Sequence, residues 1–195
     1  MRAHNLKFLF SSITALSIVL GCSVDKYSVE LRHATRLGNK FAPIEIVVFS
    51  DFQCAFCKRA AAELKRIHHG RPHRVKIFFK HFPLKRHAHA LKAAGAAEAA
   101  GLQGKFWEMH DLLFAHSHNL QDSTYELLAA KLDLDMERFK SDMESSGTKT
   151  RIAADKAEGE ALGIKGTPFF LINRTPFRGS YRDLYERIDG LARRH

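Results

Sequence analysis

The chain of 195 residues has few cysteines, no long hydrophobic run and no block of like charge. Its N-terminal apolar stretch, "FLFSSITALSIVL", has thirteen residues, whereas a helix needs roughly 20 to span a bilayer. The formal net charge is +10, but the basic residues are scattered, which argues against nucleic acid as a partner. Internal repeats and low-complexity segments are also absent. With 45% hydrophobic and 27% charged residues, the chain is predicted to form one globular domain with appendages.

The N-terminus has the features of a secretory signal. "MRAHNLK" carries Arg2 and Lys7 without an acidic residue, and the short apolar stretch follows it. A charged segment before a short apolar one is typical of a signal peptide, predicted here as residues 1–21. The chain is therefore expected to be exported.

The sequence "VLGC" at the end of that segment resembles a bacterial lipobox, in which the cysteine becomes the lipidated first residue. This resemblance predicts lipid on Cys22, a tether over residues 22–40, and attachment to the periplasmic face of a bacterial membrane. Ser23 after the cysteine favours the outer membrane. The alternative is ordinary signal cleavage, which would give a soluble periplasmic protein.

The three cysteines are Cys22 and the pair Cys54 and Cys57 in "FQCAFCK". Disulfides persist in exported proteins, and lipidation of Cys22 would leave Cys54–Cys57 as the only disulfide the chain could form. That bridge closes a loop too small to stabilise a fold appreciably through chain entropy. The pair is therefore expected to have a chemical role and not a stabilising one.

The cysteine pair lies between segments that predict a strand–helix–strand unit. "IEIVVFS" (44–50) is apolar and β-branched, which indicates a buried strand. The segment 54–69 then has helical spacing of apolar residues, and "GRP" ends it. A second strand is predicted over 74–82. This order implies a right-handed parallel crossover.

The rest of the chain is predicted to be mostly helical. Residues 84–164 show helical patterns throughout. "GTPFFLIN" (166–173) and "TPFRG" (175–179) predict a short hairpin, and a last helix is expected over about 181–193. Residues 23–42 lack periodicity and predict an irregular lead-in.

Zinc binding is one alternative for the pair. The spacing of Cys54, Cys57, His69 and His73 is close to that of a Cys2His2 finger. A finger needs a hairpin between the thiolates and one helix that carries both histidines. The glycine and the proline between the two histidines would break that helix, and no hairpin is predicted after Cys57. No metal site is therefore expected.

Burial in the core is a second alternative, and redox chemistry a third. Cys57 lies on the apolar face of the predicted helix, but Cys54 lies at the strand–helix junction, where we expect an exposed side chain. Unpaired N–H groups at a helix N-terminus favour a thiolate, and Lys58 and Arg59 add positive charge there. A stabilised thiolate favours the dithiol over the disulfide, which makes the pair an oxidant.

Four motifs in order resemble those of the DsbA-like family of exported thiol–disulfide oxidoreductases: "VVFSDFQCAFCKRAAAELKRI", "FKHFPL", "GKFWEMHDLLF" and "LGIKGTPFFLIN". The resemblance covers about residues 38–192. It implies an α/β, thioredoxin-like fold with an all-helical insertion. On this division, residues 41–83 and 165–195 form the thioredoxin-like domain and 84–164 the insertion.

The resemblance also implies roles for the site residues. Cys54 would be the nucleophile and Cys57 the resolving cysteine of a redox disulfide. Thr167 would contact the substrate backbone, and Pro168 would be the cis-proline beside the disulfide. No cofactor is implied.

The implied function is a monomeric periplasmic enzyme that donates disulfides to reduced or misoxidised exported proteins and is reoxidised by a quinone-linked membrane partner. Two other functions stay open: a disulfide isomerase or reductase, and a redox-inert chaperone or binding module on the same fold. The family's isomerases carry an N-terminal dimerisation domain, for which the segment after Cys22 is too short.

Two departures from the family pattern bear on the chemistry. Many relatives have an acidic residue six positions before the first cysteine, where this chain has Val48. Proton transfer to or from Cys57 must then use water or another group. The residues between the cysteines are Ala55 and Phe56, whereas Pro or Gly before an aromatic residue is commoner in the family. The redox potentials of relatives therefore cannot be assigned to this chain.

Overall fold

A computed structural model describes residues 27–193 of the chain. Its centre is one five-stranded sheet with the strand order β1-β3-β2-β4-β5. The strands are β1 (Thr35–Leu37), β2 (Ile44–Ser50), β3 (Val75–His81), β4 (Phe169–Ile172) and β5 (Thr175–Pro176). The predicted signal peptide and the predicted lipidation site, Cys22, lie outside the described residues.

Seven helices are described around this sheet. They are α1 (Ala55–Gly70), α2 (Ala90–Leu102), α3 (Phe106–Ala115), α4 (Asp122–Lys131), α5 (Met136–Glu144), α6 (Ser146–Ala161) and α7 (Leu184–Ala192). Helices α2 to α6 follow one another between β3 and β4, as an all-helical insertion requires. Within residues 27–193, no helix is long and apolar enough to cross a membrane.

The central strands β2 and β3 are parallel and are joined by α1, as the sequence predicts. Ile44 pairs with Val75 at one end and Ser50 with His81 at the other. β4 is antiparallel to β2 and leads through a tight turn into β5. This arrangement confirms the α/β, thioredoxin-like fold class.

The two faces of β2 belong to two apolar clusters, because successive side chains in a strand point to opposite faces. Ile44, Ile46 and Val48 pack in the larger cluster, which includes the buried face of α1 and much of the insertion. Val47 and Phe49 pack in the smaller cluster on the other face. The near-continuous apolar run in β2 follows from burial on both faces.

The segment before the first predicted strand differs from the sequence-based expectation. An irregular lead-in was expected over 23–42, but Thr35–Leu37 forms β1, which pairs antiparallel with β3. Val29 is buried in the smaller cluster, and Leu31 and Ala34 pack against it. Pairing with β3 and this packing hold the segment against the domain, so the expectation is wrong for these residues.

Buried polar contacts fix the insertion to the end of β3. The ammonium of Lys80 lies 2.7 Å from an Asp155 carboxylate oxygen and 3.0 Å from one of Glu158, both on α6. Nε2 of the next residue, His81, lies 2.9 Å from Oε1 of Glu98 on α2. A buried charge is costly unless it is paired. These contacts therefore specify where α2 and α6 pack.

Gly159 of α6 allows the insertion to approach the sheet closely. A Cβ at this position would lie 2.7 Å from the ring of Phe82 and 3.1 Å from that of Phe49. Only glycine leaves room for the rings at this crossing.

Candidate active site

Cys54 lies at the junction of β2 and α1, where it is the N-cap residue of the helix. Its carbonyl oxygen accepts the first helical hydrogen bond, from the Lys58 N–H at 3.1 Å. The sulfur is therefore beside the N–H groups of the first helical turn, which have no helical partner.

The turn before Cys54 is built around the buried carboxylate of Asp51. This carboxylate accepts hydrogen bonds from the N–H groups of Gln53 (2.7 Å) and Leu84 (2.8 Å), and it lies 2.8 Å from Nδ1 of His87. An aspartate that binds the N–H two residues on is a common turn device. Asp51 was not singled out from the sequence, although its position at a strand end, three residues before a helix cap, is the signal that could have identified it.

The loop before β4 lies against Cys54. The Thr167–Pro168 peptide bond is cis, and the Cys54 thiol donates a hydrogen bond to the Thr167 carbonyl oxygen at 3.5 Å. Both cysteines of the pair are free thiols in this structure. The fold thus brings together four residues that the resemblance assigned to one site, although Cys54 and Thr167 are 113 positions apart.

Cys54 is more buried than its place at a strand–helix junction suggested. An exposed side chain was expected, but the residue is only 4% exposed. The Thr167 loop, distant in sequence, covers the sulfur, whereas Phe56 in the same helical turn is 58% exposed. The expectation is therefore wrong because it rested on local sequence alone.

The environment of Cys54 stabilises its thiolate. Hydrogen bonds lower the pKa of Cys54 to about 5, chiefly from the Cys57 side chain, and also from the Thr167 side chain and the N–H groups of Cys57 and Phe56. These donors outweigh the effect of burial, which alone would raise the pKa. The Lys58 ammonium, expected to add charge here, instead donates to the Ala115 carbonyl at 3.4 Å.

The environment of Cys57 has the opposite effect. Burial raises the pKa of the Cys57 thiol, and its hydrogen bond to Cys54 raises it further. The side chains of Ser50 and Thr167 partly offset this shift. The two sulfurs thus differ strongly in pKa, so that Cys54 is a reactive thiolate and Cys57 a buried, protonated thiol.

Val48, where an acidic residue is common in the DsbA-like family, is buried in the same apolar cluster as Cys57. It lines a cavity of about 250 Å³ with Ala61 and Leu64 of α1 and with His110 and Asp111 of α3. Burial lowers the pKa of His110, whose Nδ1 lies 3.0 Å from an Asp111 oxygen. This cavity is thus lined partly by polar groups, although Val48 itself is apolar.

The described part of the chain holds no cluster of three or more His, Cys, Asp or Glu side chains that could bind a metal ion. His69 lies in the last turn of α1, and His73 follows the end of that helix. The two histidines therefore do not share one helix.

Solved structures with the same fold include two oxidoreductases. One is described as a thioredoxin-like oxidoreductase from Silicibacter pomeroyi DSS-3. It matches with a TM-score of 0.74 and 28% identity over 88% of this chain and 97% of that one. The other is the thiol-disulfide exchange protein alpha-DsbA2 from Wolbachia pipientis. It matches with a TM-score of 0.72 and 22% identity over 81% of this chain and 87% of that one.

The fold, which is shared with a thioredoxin-like oxidoreductase, holds a paired-thiol site beside a cis-proline. Its likeness to alpha-DsbA2 confirms the fold that the four sequence motifs suggested. The chain belongs to the thioredoxin family, since the family model described as Thioredoxin matches residues 31–189.

A curated relative shares the domain but is a much longer protein. It is named Na(+)/H(+) antiporter NhaA 1, from Salinispora arenicola (strain CNS-205), and is 37% identical over 145 residues. The match covers 74% of this chain but only 22% of that protein. The chain thus spans less than a quarter of the length of this relative.

Proposed function

We propose that the protein donates a disulfide from Cys54 and Cys57 to reduced client proteins through a mixed disulfide. The observation that carries the proposal is the contrast between the two sulfurs, with the pKa of Cys54 lowered to about 5 and that of Cys57 raised. A stabilised thiolate exists only in the dithiol form, so it favours reduction of the pair and oxidation of the client.

The reaction begins with the Cys54–Cys57 disulfide. A client thiolate attacks the Cys54 sulfur, the bond between the two cysteines breaks, and Cys57 leaves as a thiolate that takes up a proton. A second client thiol loses its proton and attacks the client sulfur of the mixed disulfide, and Cys54 leaves as its stabilised thiolate. The client has then lost two electrons to the cysteine pair.

The carbonyl of Thr167 faces Cys54, and in the disulfide form no S–H donates to it, so an extended client segment could donate a backbone N–H to this carbonyl and lie along the same loop. We assign Thr167 and Pro168 to client positioning on this basis. A low-pKa thiolate is also a good leaving group, which speeds the release of the oxidised client from Cys54.

We also propose that the enzyme acts in the bacterial periplasm, anchored through lipid on Cys22. The signal-like N-terminus and the "VLGC" sequence support this location. A donor must regain its disulfide after each cycle, and the resemblance to DsbA-like enzymes suggests a quinone-linked membrane oxidase for that step. We propose in addition that the enzyme acts as a monomer.

The proposal is tested with the mature chain in its disulfide form and a peptide that contains two reduced cysteines. The wild-type protein should convert the peptide to its disulfide, and Cys54→Ala should abolish this conversion. Cys57→Ser, which cannot form the internal disulfide, should also fail to oxidise the peptide; with the disulfide form of the peptide, its Cys54 thiolate should attack the peptide disulfide and form a mixed disulfide, which mass spectrometry detects. Cys22→Ser is the matched control, because it removes a cysteine outside the pair and should leave oxidation unchanged.

The alternatives give different results in the same experiment. A binding or chaperone module would keep client binding after Cys54→Ala. Its wild-type form would not oxidise the reduced peptide. A reductase or isomerase would act on a scrambled disulfide substrate faster than it oxidises the reduced peptide. Either result would contradict disulfide donation as the main activity.

A further inference from the structure

A groove of about 420 Å³ adjoins the Thr167 loop. Its walls come from the first turns of α1, from the loop itself and from the segment before α7. The lining includes Phe56, Arg59, Thr167, Pro168, Tyr181 and Arg182. A client segment that lies along Thr167 must therefore pass this groove.

Two guanidinium groups line the groove beside one tyrosine. Arg59, Arg182 and Tyr181 share the groove lining, and the two arginines lower the pKa of the Tyr181 hydroxyl. Arg59 comes from α1 and Arg182 from the segment before α7, so the fold brings these two cations together. Like charges that converge on one group repel each other, and an anion between them would relieve that repulsion.

No such anion is provided by the described residues. Among the ion pairs of residues 27–193, none includes Arg59 or Arg182. Asp183 is the neighbour of Arg182, but its carboxylate accepts hydrogen bonds from the N–H and the hydroxyl of Ser180, both at 2.9 Å. The two guanidinium groups therefore keep donors available for a ligand.

An aromatic ring lies near each of the two arginines. The Arg59 guanidinium lies 5.7 Å from the centroid of the exposed Phe56 ring, and that of Arg182 lies 5.9 Å from the Tyr181 centroid. A cation–π contact at such a distance is weak and leaves the guanidinium donors free for a carboxylate. The groove thus combines an apolar surface with cationic groups that lack a counter-ion.

We propose that this groove selects client segments that carry an aspartate or glutamate close to the reacting cysteine, with the carboxylate held by Arg59 and Arg182. The inference rests on the proposed function, because it names the substrate preference of the same site. The groove shares Thr167 with the thiol site, and an extended segment advances about 3.3 Å per residue. The acidic residue should therefore lie within about two positions of the cysteine.

The test compares two dithiol peptides that differ only in Glu or Gln beside the first cysteine. The measured quantity is the ratio of their rates of oxidation by the wild-type disulfide form at low ionic strength. We expect the Glu peptide to react about fivefold faster, since two partly exposed charge pairs contribute on this scale. The double variant Arg59→Gln/Arg182→Gln should bring the ratio close to one.

The ratio separates substrate preference from general effects on the thiol, because any change at Cys54 affects both peptides alike. Arg187→Gln is the matched control. It removes one exposed positive charge from α7, outside the groove lining, and should keep the ratio. Arg182→Gln alone should lower the ratio partway, and this variant leaves α1 intact if the double variant folds poorly.

The possible outcomes distinguish the two proposals. Oxidation of both peptides by the wild type at equal rates would overturn the acidic preference and leave disulfide donation standing. Failure to oxidise either peptide would overturn disulfide donation and the preference with it. A ratio that falls as much in Arg187→Gln as in the double variant would assign the effect to net charge. This result would also overturn the proposal that the groove selects acidic client segments.

Discussion

The dithiol form should gain stability relative to the disulfide form as the pH rises from 5 to 8. The pKa of Cys54 is about 5 in the folded dithiol form, whereas an unfolded cysteine has a pKa of about 8.5. Between these values the unfolded chain binds a proton that the folded chain does not bind. Stability therefore rises with pH, by about 1.4 kcal/mol per pH unit once Cys54 is fully ionised.

The size of this gain follows from the same two pKa values. Between pH 5 and pH 7 the free energy of unfolding of the dithiol form should rise by about 2 kcal/mol more than that of the disulfide form. The raised pKa of Cys57 opposes the trend only above the unfolded pKa, where an unfolded Cys57 ionises and the folded one does not. Titrating groups whose environment is the same in both forms cancel in the comparison.

Urea unfolding of both forms at pH 5, 6, 7 and 8 measures the effect, with a phosphine reductant in the dithiol samples. The control is Cys54→Ser, which lacks the thiolate and should lose the pH-dependent gain over the wild-type disulfide form. Absorbance of the thiolate near 240 nm gives the pKa of Cys54 independently. A stability difference that stays constant from pH 5 to pH 8 would refute the reasoning.

Two further predictions concern the cavity and the insertion. Val48→Glu should place a carboxyl group with a raised pKa in the cluster that holds the buried Cys57 thiol and speed formation of the mixed disulfide, in which Cys57 takes up a proton, about tenfold or more. An unchanged stopped-flow rate of mixed-disulfide formation would show that a group at this position is not needed. Gly159→Ala should destabilise the fold by about 1–3 kcal/mol. The added Cβ would lie 2.7 Å from the Phe82 ring, and this clash outweighs the gain of about 1 kcal/mol in helix propensity. A urea midpoint equal to that of the wild type would contradict this prediction.

The elements around the cysteine pair could be predicted from the sequence because their signals are local. The strand Ile44–Ser50 has the bounds that its apolar run indicated, and the helix Ala55–Gly70 differs by one residue at each end. The buried face of that helix, with Cys57 and Leu64, also follows its 3.6-residue spacing. Strong periodicity and clear helix breakers made these predictions accurate.

Features that depend on distant contacts could not be predicted in this way. The short strand Thr35–Leu37 has too few residues for a pattern and forms because an edge of β3 is available. The burial of Cys54 depends on Thr167, and the pairing of Lys80 with Asp155 spans 75 positions. In each case the partner is supplied by the tertiary fold, so local sequence carries no signal for the contact.

The lowered pKa of Cys54 also has a consequence for the redox potential. At pH 7, a pKa of about 5 favours the dithiol form by about 3 kcal/mol relative to a cysteine of ordinary pKa. For a two-electron couple this corresponds to about 60 mV toward a stronger oxidant. The effect is confined to the dithiol form, since the disulfide has no thiolate to stabilise.

The reduction potential of Cys54–Cys57, measured by equilibration with glutathione at pH 7, tests disulfide donation most directly. We predict a value about 50 mV more oxidising than the roughly −270 mV of thioredoxin, whose reactive cysteine has a pKa of about 7. A potential at or below that of thioredoxin, or a pair that forms no disulfide at all, would contradict the account.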